Sequence, residues 1–251
     1  MRPADIQFLL DGVVAEAGHG DQPGSRVASI TAPAALGFDE AFEGIPVRTG
    51  ARAVELAVCL SIMTDHFLGL LSENTELAQG LFRMLLETHG SPAEGRVLRG
   101  VVEPPPAERI VDGLQPIERL LVLAAMPVFA QASTEQLAAL GAVTREVTLT
   151  AGSVLFRESD APAIYLVLAG ELALEPATGG EPLSVGAGDC VGVYETLGGL
   201  DTSDWRAHVT RGGMALRVER EALFDVLADH IDLLRGMFSA LRRPVARAMN
   251  V

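Results

Sequence analysis

The chain has 251 residues, 49% of them hydrophobic, and a formal net charge of −14 at pH 7. It contains no Lys, so every charged side chain of positive sign at neutral pH is an Arg; such an acidic surface repels phosphate backbones and argues against DNA or RNA as partner. No run approaches the ~20 apolar residues of a membrane helix, and the N-terminus lacks a basic-then-apolar leader. The expectation is a cytoplasmic protein without direct membrane insertion, which would reach a membrane complex only peripherally, through a partner.

In chain order, residues 5–17 (DIQFLLDGVVAEA) read as two apolar strands divided by Gly12. Residues 32–42 (APAALGFDEAF) read as a turn and a loop containing Gly37. Residues 58–85 pass from a strand into an amphipathic helix ending in LLSENTELAQGLFRMLL, whose Leu71, Leu77, Leu81 and Phe82 are expected to face a core. Residues 89–113 are rich in Pro and Gly and read as a linker. From residue 114, LQPIERLLVLAAMPVF has helical spacing up to Pro127. Ser133 with Gln136 three residues on predicts a capping box, and Gly141 is expected to close that helix. The period then falls from 3.6 to 2 through REVTLTAGSVLFRE, AIYLVLAGELALEP, GEPLSVGAGDCVGV, WRAHVT and GGMALRVE. A helix follows over residues 220–228, kinks at Asp229 and His230, and continues to Arg242. Cys59 and Cys190 are isolated and read as buried, reduced thiols.

The helix end is written twice. Residues 58–85 lie without a gap on residues 214–241, with Leu60/Leu216, Leu71/Leu227, Leu77/Leu233, Gly80/Gly236, Phe82/Phe238 and Leu85/Leu241 identical; about two identities are expected over such a span. Upstream, residues 5–17 parallel residues 163–177, and residues 32–42 parallel residues 186–197, so the order strand, Gly, strand, turn, Gly-containing loop, strand, helix recurs. The expectation is a tandem duplication with domains 1–88 and 114–251 joined by the linker. The first copy has no counterpart of residues 114–160, which would leave strand edges unpaired. A protein partner or self-association is therefore expected to complete residues 1–88.

Residues 114–243 resemble a cyclic nucleotide-binding domain of the type shared by catabolite-activator-like regulators, kinase regulatory subunits and gated channels. The matching stretches are MPVF…STEQL, AGSVLFRESDAPAIYLVLAGELAL, GAGDCVGVYETLGG, WRAHV and ALRVEREALFDVLADH. The resemblance implies a mainly β fold with flanking α-helices, a β-roll (jelly roll) ending in C-terminal helices, here duplicated. It also implies a phosphate cassette: backbone N–H groups at a short helix, a Gly-Glu pair whose carboxylate takes the ribose hydroxyl, and an Arg for the phosphate. The candidate positions are Gly192, Glu195, Arg206 and Ala207. The cassette departs from the family pattern. Val193 stands at the Glu position, Glu195 comes two residues late, and Asp201 and Asp204 precede Arg206. Losing the ribose acceptor costs about 1.5–3 kcal/mol, one to two decades in affinity. The first copy departs likewise, with Phe38 after Gly37 and Arg48 as the nearest Arg.

Two functions follow from the resemblance. The first is a non-catalytic, degenerate module serving as an interaction, structural or regulatory subunit of a larger assembly. The second is a sensor of cAMP, cGMP or another small anion that signals through its C-terminal helix. An enzyme is not expected: the five His are scattered without metal-ligand spacing, and no P-loop, nucleophile elbow or paired-carboxylate arrangement is present. No metal and no resident cofactor is expected. Only residues RRPVARAMNV follow Leu241, so a helix-turn-helix reader is not expected either.

Overall fold

The computed structural model describes residues 5–18, 28–43, 49–89, 97–100, 113–155, 162–177, 179–199 and 205–242. Helices and antiparallel sheets are mixed, and the chain divides into two compact units, Met1–Leu71 and Ser72–Val251.

In the first unit β1 (Asp5–Asp11) runs between β4 (Ala34–Leu36) and β6 (Val58–Met63), while β2 (Val13–Gly18) runs between β3 (Ala28–Thr31) and β5 (Thr49–Ala53). Gly12 separates β1 from β2 with φ +91°, and a Cβ there would lie 2.5 Å from the Leu56 carbonyl oxygen, so only Gly makes this bend. Helix α1 (Phe38–Glu43) follows β4, and α2 (Thr64–Glu73) follows β6. Their aromatic side chains build the core: Phe38 stacks on Phe42 at 4.6 Å, and Phe67 lies 5.9 Å from Phe38 and 5.8 Å from Phe8.

The second unit opens with α3 (Thr75–His89), α4 (Pro116–Ala124), a 3-10 turn (Pro127–Phe129) and α5 (Thr134–Val143). Then come β7 (Arg145–Leu149), β8 (Ala163–Pro176), β9 (Leu183–Val185), β10 (Cys190–Val191), α6 (Val193–Gly198), β11 (Trp205–Glu219), α7 (Arg220–Asp229) and α8 (Ile231–Arg242). The sheet order is β10-β8-β11-β7, with β9 also on β8. Gly170 bends β8 with φ +97°, its absent Cβ leaving room for the Arg211 carbonyl oxygen 2.7 Å away.

The two units share one pairing scheme. Ile6↔Ile62 and Phe8↔Leu60 in the first have Ile164↔Val218 and Leu166↔Leu216 as their equivalents in the second. Gln7↔Leu36 and Phe8↔Ala35 answer to Tyr165↔Val191 and Leu166↔Cys190. Val14↔Ile30 and Val14↔Ala53 answer to Leu172↔Val185 and Leu172↔Val209. Each β4-type strand ends at a Gly of positive φ, Gly37 at +69° and Gly192 at +82°, followed by a six-residue helix.

Several expectations meet a different outcome. The Ser133 capping box forms, Gln136 N–H donating to Ser133 Oγ at 3.3 Å, but α5 runs through Gly141 to Val143 and is capped at Thr144. Gly141 has helical backbone, and its carbonyl takes bonds from the Thr144 hydroxyl (2.8 Å) and Arg119 Nη1 (3.1 Å), so it serves docking rather than termination. Helix α3 belongs to the second compact unit, packing on α6 and α8 with Phe82 and Phe238 at 6.2 Å. Leu71, Leu81 and Phe82 are buried as expected, whereas Leu77 is exposed. In the stretch read as a linker, Val97 and Leu98 are buried and Leu98 forms a β-bridge with Cys190, covering the outer edge of β10. Residues 90–96 and 101–112 of that stretch lie outside the described residues, as do Arg48, Asp201 and Asp204. Cys190 is buried, and burial followed by the neighbouring Asp189 charge pushes its thiol pKa up. Cys59 is exposed, because it lies on β6 at the edge of its sheet.

Candidate functional site

The residues GAGDC, 186–190, form a turn held on β8. Gly188 N–H donates to the Val167 carbonyl (2.8 Å), and Val167 N–H donates to the Asp189 carbonyl (2.9 Å). The Asp189 carboxylate accepts from Gly186 N–H at 2.9 Å and forms an ion pair with Arg99. Arg99 follows the Leu98 bridge, so the same short segment both pairs with the sheet edge and neutralises the turn's carboxylate.

Gly192 caps the N-terminus of α6 in the left-handed region, where a side chain would be strained. All six residues of α6 are buried. Val193, at the family's carboxylate position, is 0% exposed. Glu195 and Thr196 are buried too, and the Thr196 hydroxyl finds no hydrogen-bond partner among the described residues. At the other end, Gly199 has φ +60° and Arg83 Nε donates to the Gly198 carbonyl at 2.9 Å, satisfying a helix-end acceptor. The Gln79 amide and Arg220 Nη2 press against Gly199 where a Cβ would project. Burial, then the charge of Arg83, lowers the Arg220 pKa.

Strand alternation separates the other two candidates. Trp205, Ala207 and Val209 face the core, in one apolar cluster with Tyr165, Val167 and Val191. Arg206 is exposed on the opposite face, in register with Glu175, whose carboxylate lies 3.5 Å from His208 Nε2. Gly192 and Glu195 therefore share one short capped helix, Ala207 contributes core packing, and Arg206 faces away from the core. The residue that sequence reasoning passed over is Trp205. It is 8% exposed and fills the inward position beside Ala207. The signal was present in WRAHV, where apolar residues occupy positions 205, 207 and 209.

Among the described residues no group of three His, Cys, Asp or Glu side chains is placed to hold a metal ion. No described helix is long and apolar enough to cross a membrane.

No protein-family model matches the chain, and no curated protein matches it. Solved structures do. The N-terminal domain of a transcriptional regulator from Streptomyces coelicolor A3(2) is similar at 27% identity and a TM-score of 0.42, over 47% of this chain and 88% of that one. The sensor domain of the transcriptional regulator DNR from Pseudomonas aeruginosa is similar at 20% identity and a TM-score of 0.41, over 47% of this chain and 82% of that one. The regulatory subunit of a cAMP-independent protein kinase A from Trypanosoma brucei is similar at 14% identity and a TM-score of 0.39, over 92% of this chain and 72% of that one.

Proposed function

We propose that the chain is a non-catalytic interaction or regulatory subunit built from two tandem copies of a cyclic-nucleotide-binding-like β-roll. In this reading the second copy has the strands of the roll but a degenerate ligand cassette. Duplication is supported by the shared registers, which recur at β1/β6 and β8/β11, at β1/β4 and β8/β10, and around the paired glycines Gly12 and Gly170.

One observation carries the degenerate reading: the inward position of the strand after the cassette is Trp205, while Arg206 faces out. A phosphate needs a cation or N–H donors aimed at it. An indole in the apolar cluster fills that place without charge and with a single N–H against the five of a guanidinium, and Val193 offers no acceptor to a ribose hydroxyl. The sensor reading draws on Glu195, which is buried on α6 close behind Gly192.

Calorimetric titration of the full chain with cAMP and with cGMP separates the two. The expected result is no binding at micromolar nucleotide. The emission of Trp205, the chain's one Trp, should stay unchanged throughout. Micromolar binding that Arg206→Ala abolishes would overturn the proposal in favour of the sensor.

A further inference from the structure

Strand β10 ends its sheet, order β10-β8-β11-β7, and its outer edge is taken by a segment that belongs to no strand. Leu98 N–H donates to the Cys190 carbonyl at 3.0 Å, and Cys190 N–H donates to the Leu98 carbonyl at 2.9 Å. Each residue of 97–100 meets a different feature of this edge. Val97, 4% exposed, enters the apolar cluster with Tyr165, Val167, Val191 and Trp205. Leu98 is buried. Arg99 pairs with the Asp189 carboxylate. A Cβ on Gly100 would lie 2.1 Å from the Gly188 carbonyl oxygen, so that position admits Gly alone.

These contacts define a pattern, apolar-apolar-Arg-Gly, in an extended segment antiparallel to β10. In strand addition the backbone bonds give affinity and the side-chain pockets give selectivity. The hold on the segment is local: a single bridge, two apolar side chains and one ion pair whose Arg is half exposed. It can therefore leave without breaking any pairing of β8 with β10 or β11. Its departure opens the backbone groups of Cys190 and the hole filled by Val97, and a second segment of the same pattern refills both.

We propose that the outer edge of β10 is a strand-addition site for an extended protein segment reading apolar-apolar-Arg-Gly, held occupied in cis by the chain's own residues 97–100. Charge favours this partner, because the Asp189 carboxylate in a chain of net charge −14 attracts a segment carrying Arg. The proposal names the interaction site of the subunit described above and rests on that reading.

The probe is a fluorescein-labelled peptide of residues 95–102, GRVLRGVV, titrated into the full chain and followed by anisotropy. In the wild type the tethered segment competes at an effective concentration of about millimolar, so the peptide should bind weakly. Val97→Asp with Leu98→Asp and, separately, Gly100→Val should each empty the edge and tighten peptide binding by about tenfold or more. The Cys190 N–H, whose acceptor is the Leu98 carbonyl, should exchange with deuterium faster in both opened chains and be protected again by peptide. Peptides carrying Arg99→Glu or Gly100→Val should not bind the opened chains. Asp189→Asn, which keeps an acceptor for the Gly186 N–H, should weaken peptide binding to an opened chain. Equal affinity of wild-type and opened chains, no binding to the opened chains, or equal binding of the three peptides would each overturn the proposal. Loss of the wild-type far-UV circular dichroism spectrum in both opened chains would overturn it too, by making residues 97–100 part of the folding core. Nucleotide titration is an independent readout. A chain that binds neither peptide nor nucleotide defeats the strand-addition site alone, and one that binds both defeats the degenerate reading alone.

Discussion

Replacing Trp205 by Ala, beside Arg206→Ala as its neighbour on the same strand, tests the facing on which the functional argument depends. Trp205 is 8% exposed and sits in the apolar cluster with Tyr165, Val167, Leu172, Val191 and Ala207. Truncating a core Trp or Phe costs about 3–5 kcal/mol, because transfer free energy is lost and a cavity remains. Trp205 is not fully enclosed, so the lower end, about 3 kcal/mol, is expected. Domain stabilities run to about 5–15 kcal/mol, so this is a large share of the total. With a urea slope of about 1–3 kcal/mol per molar, the midpoint followed by far-UV circular dichroism should fall by about 1 M or more. Arg206 is exposed, so its truncation should change stability by no more than about 0.5 kcal/mol. If Arg206→Ala cost as much as Trp205→Ala, or Trp205→Ala cost less than about 1 kcal/mol, the assignment of faces would be wrong. Arg206 would then be free to face a phosphate from that strand.

Other consequences are open to measurement. Gly80 lies in α3 with no atom within 4 Å of where a Cβ would sit, so Gly80→Ala should stabilise by about 0.5–1 kcal/mol in a thermal or urea melt. Gly170→Ala should lose more than that gain, since its φ of +97° and the Arg211 carbonyl oxygen at 2.7 Å leave no place for a methyl group. Glu146 accepts from Leu114 N–H at 3.0 Å and from Arg119 Nη2 at 2.9 Å, so Glu146→Ala should lower the urea midpoint by the equivalent of about 1–3 kcal/mol. Ellman titration should count one thiol in the native chain, Cys59, and two after denaturation. The folded Cys190 thiol titrates above its unfolded value, so its contribution to stability is complete below about pH 9 and is lost as pH rises further. Alkaline unfolding should therefore be shallower in Cys190→Ala.

Much of the second unit was legible from local chemistry. The Ser133–Gln136 capping box depends only on two side chains three residues apart, and it formed. The break at His230 was equally local: α7 ends at Asp229 and α8 begins at Ile231. The change of hydrophobic period at residue 145 marked the start of the strands, because alternation reports one buried face. The candidate site was legible only in part. Gly192 was readable as a cap, since a left-handed backbone there demands Gly. The outward facing of Arg206 was not legible, because a motif match ignores which way a strand residue points. A shift of one residue moves a side chain to the other face.

The sequence by itself determined the repeated order of strands and glycines, the acidic charge, the helix start at Ser133 and the break at His230, because each depends on neighbours within a few residues. Tertiary structure alone decided the rest. Leu98 reaches Cys190 across 92 positions, and α3 packs against α6 and α8 rather than ending the first roll. Such placements follow from which apolar faces meet over long separations, and no local pattern records them. The open edge of β6 is of the same kind. Its uncharged residues were in plain view, but only the sheet order shows that, among the described residues, β1 alone pairs with them.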